Sequence, residues 1–203
     1  MFSPSELLWA FIGLILTIGS TWVDAFGLQI PVSDWLNFRA SGIEAQPLGI
    51  TFQFSVALFI GCMAGKNAAA LSQIAYVSLG IFLFERFGLV VFDQGAGVSY
   101  LAEPSFGYLI GFIPAGWVCG QLAVQNKKTS SLEKLWFGAI AGLLAMHLCG
   151  LSYLILGHLF RWLPTPPSLS HSMLDYLSQF PGQVMVSCAV VLIAYGLRKA
   201  LFY

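Results

Sequence analysis

The sequence predicts an all-α, polytopic integral membrane protein with six transmembrane helices, and three observations carry that prediction. Hydrophobic residues fill 58% of the 203 positions, and charged residues only 9%. A typical soluble domain carries about 25% charged residues, so this chain cannot coat a water-facing surface. Mean hydropathy is +0.80, the reverse of the weakly hydrophobic, highly charged signature of disorder. At ~20 apolar residues per span, the composition leaves room for about six spans. A formal net charge of zero excludes a nucleic-acid binder that relies on a basic surface.

The spans are expected at 5–23, 48–65, 67–85, 105–124, 133–160 and 180–202, within a single domain, 1–203. The first follows Met1 with no Lys or Arg ahead of it, so it reads as a retained helix rather than a signal peptide. Its small residues Ala10, Gly13, Thr17 and Ser20 let another helix approach closely, in this chain or in a partner. Lys66 and Asn67 form a very tight turn between the second and third spans. Thr51 and Gln53 open the second span, and Gln73 and Tyr76 lie in the third. Polar side chains inside spans face the bundle interior, as interhelical glue or as ligand contacts. The fourth span carries Pro114, which is expected to kink it. The fifth is long enough to tilt or to emerge near His158.

An even number of spans places both termini on one side. That side holds Lys66, Lys127, Lys128, Lys134, Arg198 and Lys199; the other holds only Arg39, Arg86 and Arg161. The positive-inside bias therefore puts both termini in the cytoplasm. The external loops, 24–47, 86–104 and 161–179, are then the long ones. They and their flanks carry Asp24, Asp34, Glu44, Glu85, Asp93, Glu103 and Asp175, seven of the nine acids. Long ordered loops usually carry function, so the outer face is expected to be the working face.

The densest segment runs from Phe92 through Asp93, Gln94, Gly95, Gly97, Ser99 and Tyr100 to Gly107 and Tyr108. Its aromatics supply an apolar wall with hydroxyl handles, and its amide and carboxylate supply directed hydrogen bonds. Mostly apolar contact with a few placed polar groups is what a small ligand needs. A structured loop with interfacial aromatics is the plainer reading. His147, near the inner half of the fifth span, and His158 and His171 lack metal-ligand spacing. A Ser–His pair involving Ser152, or a dyad of external aspartates, would make a membrane-embedded hydrolase, but no spacing fixes either geometry. The four cysteines, Cys62, Cys119, Cys149 and Cys188, sit singly in apolar runs and read as small buried residues. The run Gly61–Asn67 lacks the glycine spacing and the Ser or Thr of a phosphate loop, so ATP-driven work would need a partner.

Several of these residues together resemble the BioY family, the biotin-binding substrate (S) components of energy-coupling factor (ECF) transporters. The resemblance lies in Ile50-Thr51-Phe52-Gln53 with Val56, Gly61, Gly65, Tyr76 and Gly80, then Gly88 to Phe92 and Gly95-Ala96-Gly97. It continues through Pro104-Ser105-Phe106-Gly107-Tyr108-Leu109-Ile110-Gly111-Phe112 to Pro181-Gly182, covering about residues 48–203. It implies six helices, cytoplasmic termini, a multi-pass place in a prokaryotic plasma membrane, and a biotin site near the outer face. It also implies partners, a transmembrane coupling subunit and a pair of ABC-type ATPases, with Ala10, Gly13 and Thr17 nearest to the coupling contact. No cofactor, metal or enzymatic activity is implied.

On this resemblance the substrate site is expected to draw on Thr51, Gln53, Tyr76, Arg86, Phe92, Asp93, Gln94, Gly95, Gly97, Tyr100, Gly107, Tyr108 and Gln183. Phe92, Tyr100 and Tyr108 would wall the fused rings, and Asp93, Gln94 and Gln183 would meet the ureido group. The family commonly has Asp after Pro-Gly and Lys three residues later; this chain has Gln183 and Val186. Gln183 can both accept and donate a hydrogen bond. Arg86, Ser99, Tyr100 or Tyr108 would take over the carboxylate contact. The rivals are an S component for another vitamin or precursor, the hydrolase above, and a scaffold that binds no small ligand.

Overall fold

A computed structural model describes residues 3–21, 23–29, 44–88, 91–92, 95–124, 131–163 and 169–202; side chains of 24–29, 44–51, 84–85, 169–172, 175 and 202 are not described. Helix α1 (Pro4–Ser20) starts at a capping box. Ser3 Oγ accepts from Glu6 N–H at 3.3 Å, and Glu6 Oε2 accepts from Ser3 N–H at 2.8 Å. Pro4 fits the first turn, where its missing N–H has no helical partner to lose.

Strands β1 (Asp24–Gln29) and β2 (Glu44–Thr51) pair antiparallel, from Asp24↔Thr51 to Gln29↔Glu44. This ribbon is an addition to the expected helical fold. It occupies residues assigned to the start of the second span, so helix α2 (Gln53–Ala64) begins at 53 rather than 48. The tight turn is also shifted. Gly65 alone separates α2 from α3 (Lys66–Phe82), and Lys66 and Asn67 already belong to α3. Gly65 has φ +89°, a left-handed backbone that only glycine adopts without strain.

Short 3-10 turns at Phe84–Phe87 and Val98–Ala102 lead to α4 (Phe106–Ala123), α5 (Leu132–Phe160), α6 (Leu169–Ser178) and α7 (Phe180–Phe202). Helix α4 runs unbroken through Pro114. Helix α6 falls where the sequence suggested only a loop. Each expected apolar stretch contains a helix among the described residues, although 48–51 of the second are strand and 84–85 of the third are a 3-10 turn. By length and composition α4, α5 and α7 can cross a membrane; α1 and α2 are apolar but shorter. At 1.5 Å per residue the 29 residues of α5 rise about 43 Å, beyond a hydrocarbon core of about 30 Å.

Glycines bring α4 and α5 close. A side chain at Gly111, Gly138 or Gly142 would strike Met146, Cys119 or Ala115 backbone on the facing helix. The contact of α2 with α4 brings Cys62 and Cys119, read as solitary, to 3.5 Å between sulfurs, both as free thiols. Outward faces remain apolar: Phe82, Leu148, Leu159 and Met185 are all exposed, which suits a lipid surround.

One end of the bundle gathers the start of α1, the α2–α3 break and the end of α7. Asn67 Nδ2 donates to Glu6 Oε1 at 2.9 Å. Arg198, only 6% exposed, donates from Nη1 to the carbonyls of Cys62 and Met63 at 2.8 and 2.9 Å. These are two of the last four carbonyls of α2, which have no intrahelical donor.

Candidate functional site

Two polar clusters stand at the other end, where α2, α4 and α7 begin. In the first, Gln53 Nε2 donates to Thr21 Oγ1 at 2.7 Å and to Tyr76 Oη at 3.0 Å. Tyr76 Oη and Thr21 Oγ1 both donate to the Val91 carbonyl, at 2.5 and 3.0 Å. Gln53 and Tyr76, expected at the ligand, are therefore engaged in tying α1, α2 and α3 to the segment that carries Phe92. Interhelical hydrogen bonds of this kind contribute about 0.6 kcal/mol each on average. They make the two residues positioning groups for the aromatic wall.

That wall is continuous. Tyr76 meets Phe92 edge-on at 5.5 Å, Phe92 meets Tyr100 at 4.7 Å, Tyr100 meets Phe106 at 6.3 Å, and Phe106 meets Tyr153 at 5.7 Å. Tyr100 Oη shares a hydrogen bond with Ser105 Oγ at 2.9 Å. Phe92 and Gly95 exchange backbone hydrogen bonds at 2.9 and 3.3 Å. Gly97 N–H donates to the Gly80 carbonyl at 3.0 Å, fastening the segment over α3, and its φ of +90° requires glycine. A methyl group at Gly80 would lie inside the Phe92 ring. Gly80→Ala is thus expected to lower stability by about 1–3 kcal/mol through overpacking. Thermal unfolding of the purified chain checks this, and an unchanged midpoint would show that Phe92 is not seated there.

The second cluster lies between α4, α5, α6 and α7. His147 Nε2 and Gln183 Oε1 are 2.7 Å apart. Tyr108 stacks on Tyr176 at 4.3 Å and meets His147 edge-on at 5.5 Å. Phe180 meets His147 edge-on at 5.1 Å. Gly150 makes room for Tyr108, whose ring occupies the space a Cβ would need. His147 and Tyr108 are buried, yet His147 Nδ1 and Tyr108 Oη have no hydrogen-bond partner. Leaving such groups unsatisfied costs about 1–3 kcal/mol each, which a ligand with matching polar atoms would offset. Both clusters border one apolar core that includes Phe92, Tyr100, Phe106 and Tyr108.

The remaining expected residues are spread more widely. Thr51 ends β2 opposite Asp24. Asp93 and Gln94 lie outside the described residues. Arg86 and Ser99 are exposed. Gly107 packs against the Tyr153 ring, and Tyr153 donates its hydroxyl to the Leu101 carbonyl. Val186, at the family lysine position, is partly buried against the core.

Of the two readings of the first helix, packing inside the chain is the one these residues make here. Ala10, Gly13 and Thr17 are buried within this chain: a Cβ on Gly13 would meet Ile60 and Ser72, and Thr17 Oγ1 accepts from Gln73 Nε2 at 3.0 Å. The residues that α1 leaves exposed are Leu7, Leu8, Phe11, Ile15 and Leu16. The Ser–His pairing is not formed either, because exposed Ser152 donates to the Leu148 carbonyl while His147 holds Gln183. No group of three metal-ligating side chains occurs among the described residues.

Sequence reasoning passed over His147, Tyr176 and Phe180. His147 was weighed only as a metal ligand or a catalytic base, although a polar residue inside a span is itself a pointer to a functional site. Tyr176 lay in an assumed loop.

Two surface clefts lie elsewhere. One of about 480 Å³ is lined by Leu132, Trp136, Phe137, Cys188 and Leu192. One of about 190 Å³ is lined by Glu6, Trp9, Met63 and Arg198.

Known proteins resemble this chain in sequence and in fold. A probable biotin transporter BioY of Lysinibacillus sphaericus is 30% identical over 150 residues, 73% of each chain. An uncharacterised 21.2 kDa protein of Cyanophora paradoxa is 27% identical over 195 residues, 96% of this chain and 95% of that one. The crystal structure of the S-component for biotin from an ECF-type ABC transporter shares the fold, with a TM-score of 0.68 over 98% of this chain and 95% of that chain at 18% identity. The model of the BioY family matches residues 32–202, a stretch that includes Gln53, Phe92, Tyr108, His147 and Gln183. From the aromatic wall to the paired amide and imidazole, the site described above is thus contained in a chain that belongs to the BioY family.

Proposed function

We propose that this chain is the biotin-capture subunit of an ECF-type vitamin uptake system. The observation that carries the reading is the aromatic-walled cluster of Tyr108, His147, Tyr176, Phe180 and Gln183, with buried polar atoms left unpartnered, in a chain of this family. Biotin's fused rings call for an apolar aromatic wall, and its ureido group for directed donors and acceptors. On this reading the chain is a single domain crossing a prokaryotic plasma membrane six times, with both termini in the cytoplasm. The site then opens outward. Lys66 at the start of α3 and Arg198 against the end of α2 lie at the opposite end, which supports that orientation, as does the bias of Lys and Arg across the loops. Delivery inward requires a coupling subunit and ABC-type ATPases, because the chain has no phosphate loop of its own. The chain binds and releases its ligand without breaking a bond, so it is not an enzyme. Arg86, Gly95 and Gly97 form the approach to the site, Phe92, Tyr100 and Gly107 shape its wall, and Thr51, Asp93 and Gln94 keep the substrate roles that the family resemblance implies.

Calorimetry on the purified, detergent-solubilised chain tests this reading. Biotin is expected to bind at one site per chain, a desthio analogue to bind similarly, and biotin amide to bind more weakly. Gln183→Ala is expected to cost about tenfold or more in affinity, or 1.4 kcal/mol. Failure of biotin to bind folded protein at saturating concentration would move the search to other vitamins. If both Gln183→Ala and Asp93→Ala left affinity unchanged, the polar pocket would be misassigned.

A further inference from the structure

We infer that His147 reads the ligand directly, with its unpartnered Nδ1 accepting a hydrogen bond from a ligand N–H while Gln183 fixes the tautomer that makes this possible. The inference rests on the biotin-capture reading and names the contact that would give that site its specificity.

The argument begins with hydrogen-bond chemistry. Gln183 Oε1 is a carbonyl oxygen and can only accept, so at 2.7 Å the proton between the two groups belongs to His147 Nε2. A neutral imidazole with its proton on Nε2 carries a bare lone pair on Nδ1. That atom is buried and has no partner. The residue is only 4% exposed, so water does not readily satisfy it. The ring cannot easily turn to find another partner. Tyr108 meets it edge-on at 82° and 5.5 Å, Phe180 meets it at 66° and 5.1 Å, and Gln183 holds the far nitrogen. Nδ1 is therefore a fixed acceptor.

The adjoining Tyr108 ring carries a second buried, unpartnered atom, its hydroxyl, which both donates and accepts. Among the described residues, the side chains in ring contact with His147 or hydrogen-bonded to it are Tyr108, Phe180 and Gln183, none of them cationic. An acceptor and a hydroxyl in an aromatic enclosure suit an uncharged group bearing N–H donors and a carbonyl. They suit a carboxylate less well: it could accept from the Tyr108 hydroxyl, but it carries no N–H for the Nδ1 lone pair. A cyclic urea has the required pattern. His147 thus assigns the ureido end of biotin, rather than its carboxylate, to the interior of the α4–α5–α7 cluster.

The alternative is that His147 merely ties α5 to α7 through Gln183. Two near-isosteres separate these roles. Asparagine places an amide oxygen close to the position of Nδ1 and loses the reach to Gln183. Glutamine places its amide close to Nε2, keeps Gln183 and loses the Nδ1 acceptor. With biotin as the probe, His147→Asn is expected to bind within about fivefold of the unsubstituted chain, whereas His147→Gln falls by about tenfold or more, the range of one lost hydrogen bond. Thermal unfolding of each variant without ligand confirms that it is folded. A measurement that needs no substitution accompanies these: biotin methylated at either ureido nitrogen, added to the unsubstituted chain. At least one of the two methylated forms should lose a comparable factor. In ¹⁵N spectra of the histidine-labelled chain, the bare Nδ1 resonance of His147 should move upfield with biotin and stay in place with that methylated form. Unchanged biotin affinity in His147→Gln, a loss in His147→Asn as large as in His147→Gln, or an unmoved Nδ1 resonance in protein saturated with biotin each overturns the inference. Failure of the unsubstituted, folded chain to bind biotin instead overturns the reading on which it rests.

Discussion

Replacing Gly150 with valine is expected to lower biotin affinity by about two orders of magnitude, nearly 3 kcal/mol. The Tyr108 ring fills the volume that any side chain at position 150 must occupy. An isopropyl group there expels Tyr108 from its stack on Tyr176 and from its edge contact with His147. Three elements of the site therefore change together, although residue 150 presents no chemistry of its own. Overpacking also costs about 1–3 kcal/mol of stability, so the loss of binding must be separated from loss of fold. Tyr108→Ala added to Gly150→Val restores the space. The double variant should recover most of the unfolding temperature and none of the affinity. Calorimetry with biotin, paired with thermal unfolding in detergent, gives both quantities. A Gly150→Val chain that binds biotin within threefold of the unsubstituted protein would mean that Tyr108 does not shape the site.

At the other end of the bundle, Arg198→Ala should destabilise the fold while sparing the ligand site. Its guanidinium donates to two α2 carbonyls that the helix itself cannot satisfy. Hydrogen bonds from a charged donor contribute about 1.5–3 kcal/mol each. Their joint loss, with two carbonyls left buried, is expected to cost about 3 kcal/mol and to lower the unfolding midpoint by about 6–12 °C in a chain of this size. Arg198→Lys should recover part of this, since an ammonium donates but cannot reproduce the planar fork. Biotin affinity of the folded variant should stay within about threefold, because additivity holds for distant sites. An unfolding midpoint equal to that of the unsubstituted chain would rule out the capping role.

Much of the fold was legible because its causes are local. Ser3, Pro4 and Glu6 form a capping box that can be read from three neighbouring letters. The apolar runs give helices close to their expected limits, since lipid solubility sums over consecutive residues. The exceptions have local explanations as well. Pairing with β1 holds residues 44–51 extended and delays α2. Gly65 breaks the chain one residue before the Lys66–Asn67 pair that the charge pattern suggested.

The site was legible only in part. The segment holding Phe92, Tyr100 and Tyr108 reads as aromatic-rich, and the three rings belong to the core that both polar clusters border. Gln53 and Tyr76 read correctly as inward-facing, but facing inward does not separate a ligand contact from a bracket, and their hydrogen bonds make them a bracket. The small residues of α1 show the same ambiguity: Gly13 fits any close neighbour, and the neighbour turned out to be Ile60 and Ser72 of this chain.

The sequence by itself determined the helical membrane class, the positions of the apolar stretches and the aromatic-rich segment from 92 to 108. These follow from propensity, hydropathy and composition, which act over a turn or a span. Only the tertiary structure decided that His147 stands against Gln183, that Cys62 faces Cys119, and that Arg198 closes α2. Their partners lie 36, 57 and 136 residues away. Which side chains meet at such separations depends on how each helix is rotated and how far it slides against its neighbours. That is fixed by close packing at glycine-lined contacts between helices, and a single chain's letters do not state it residue by residue.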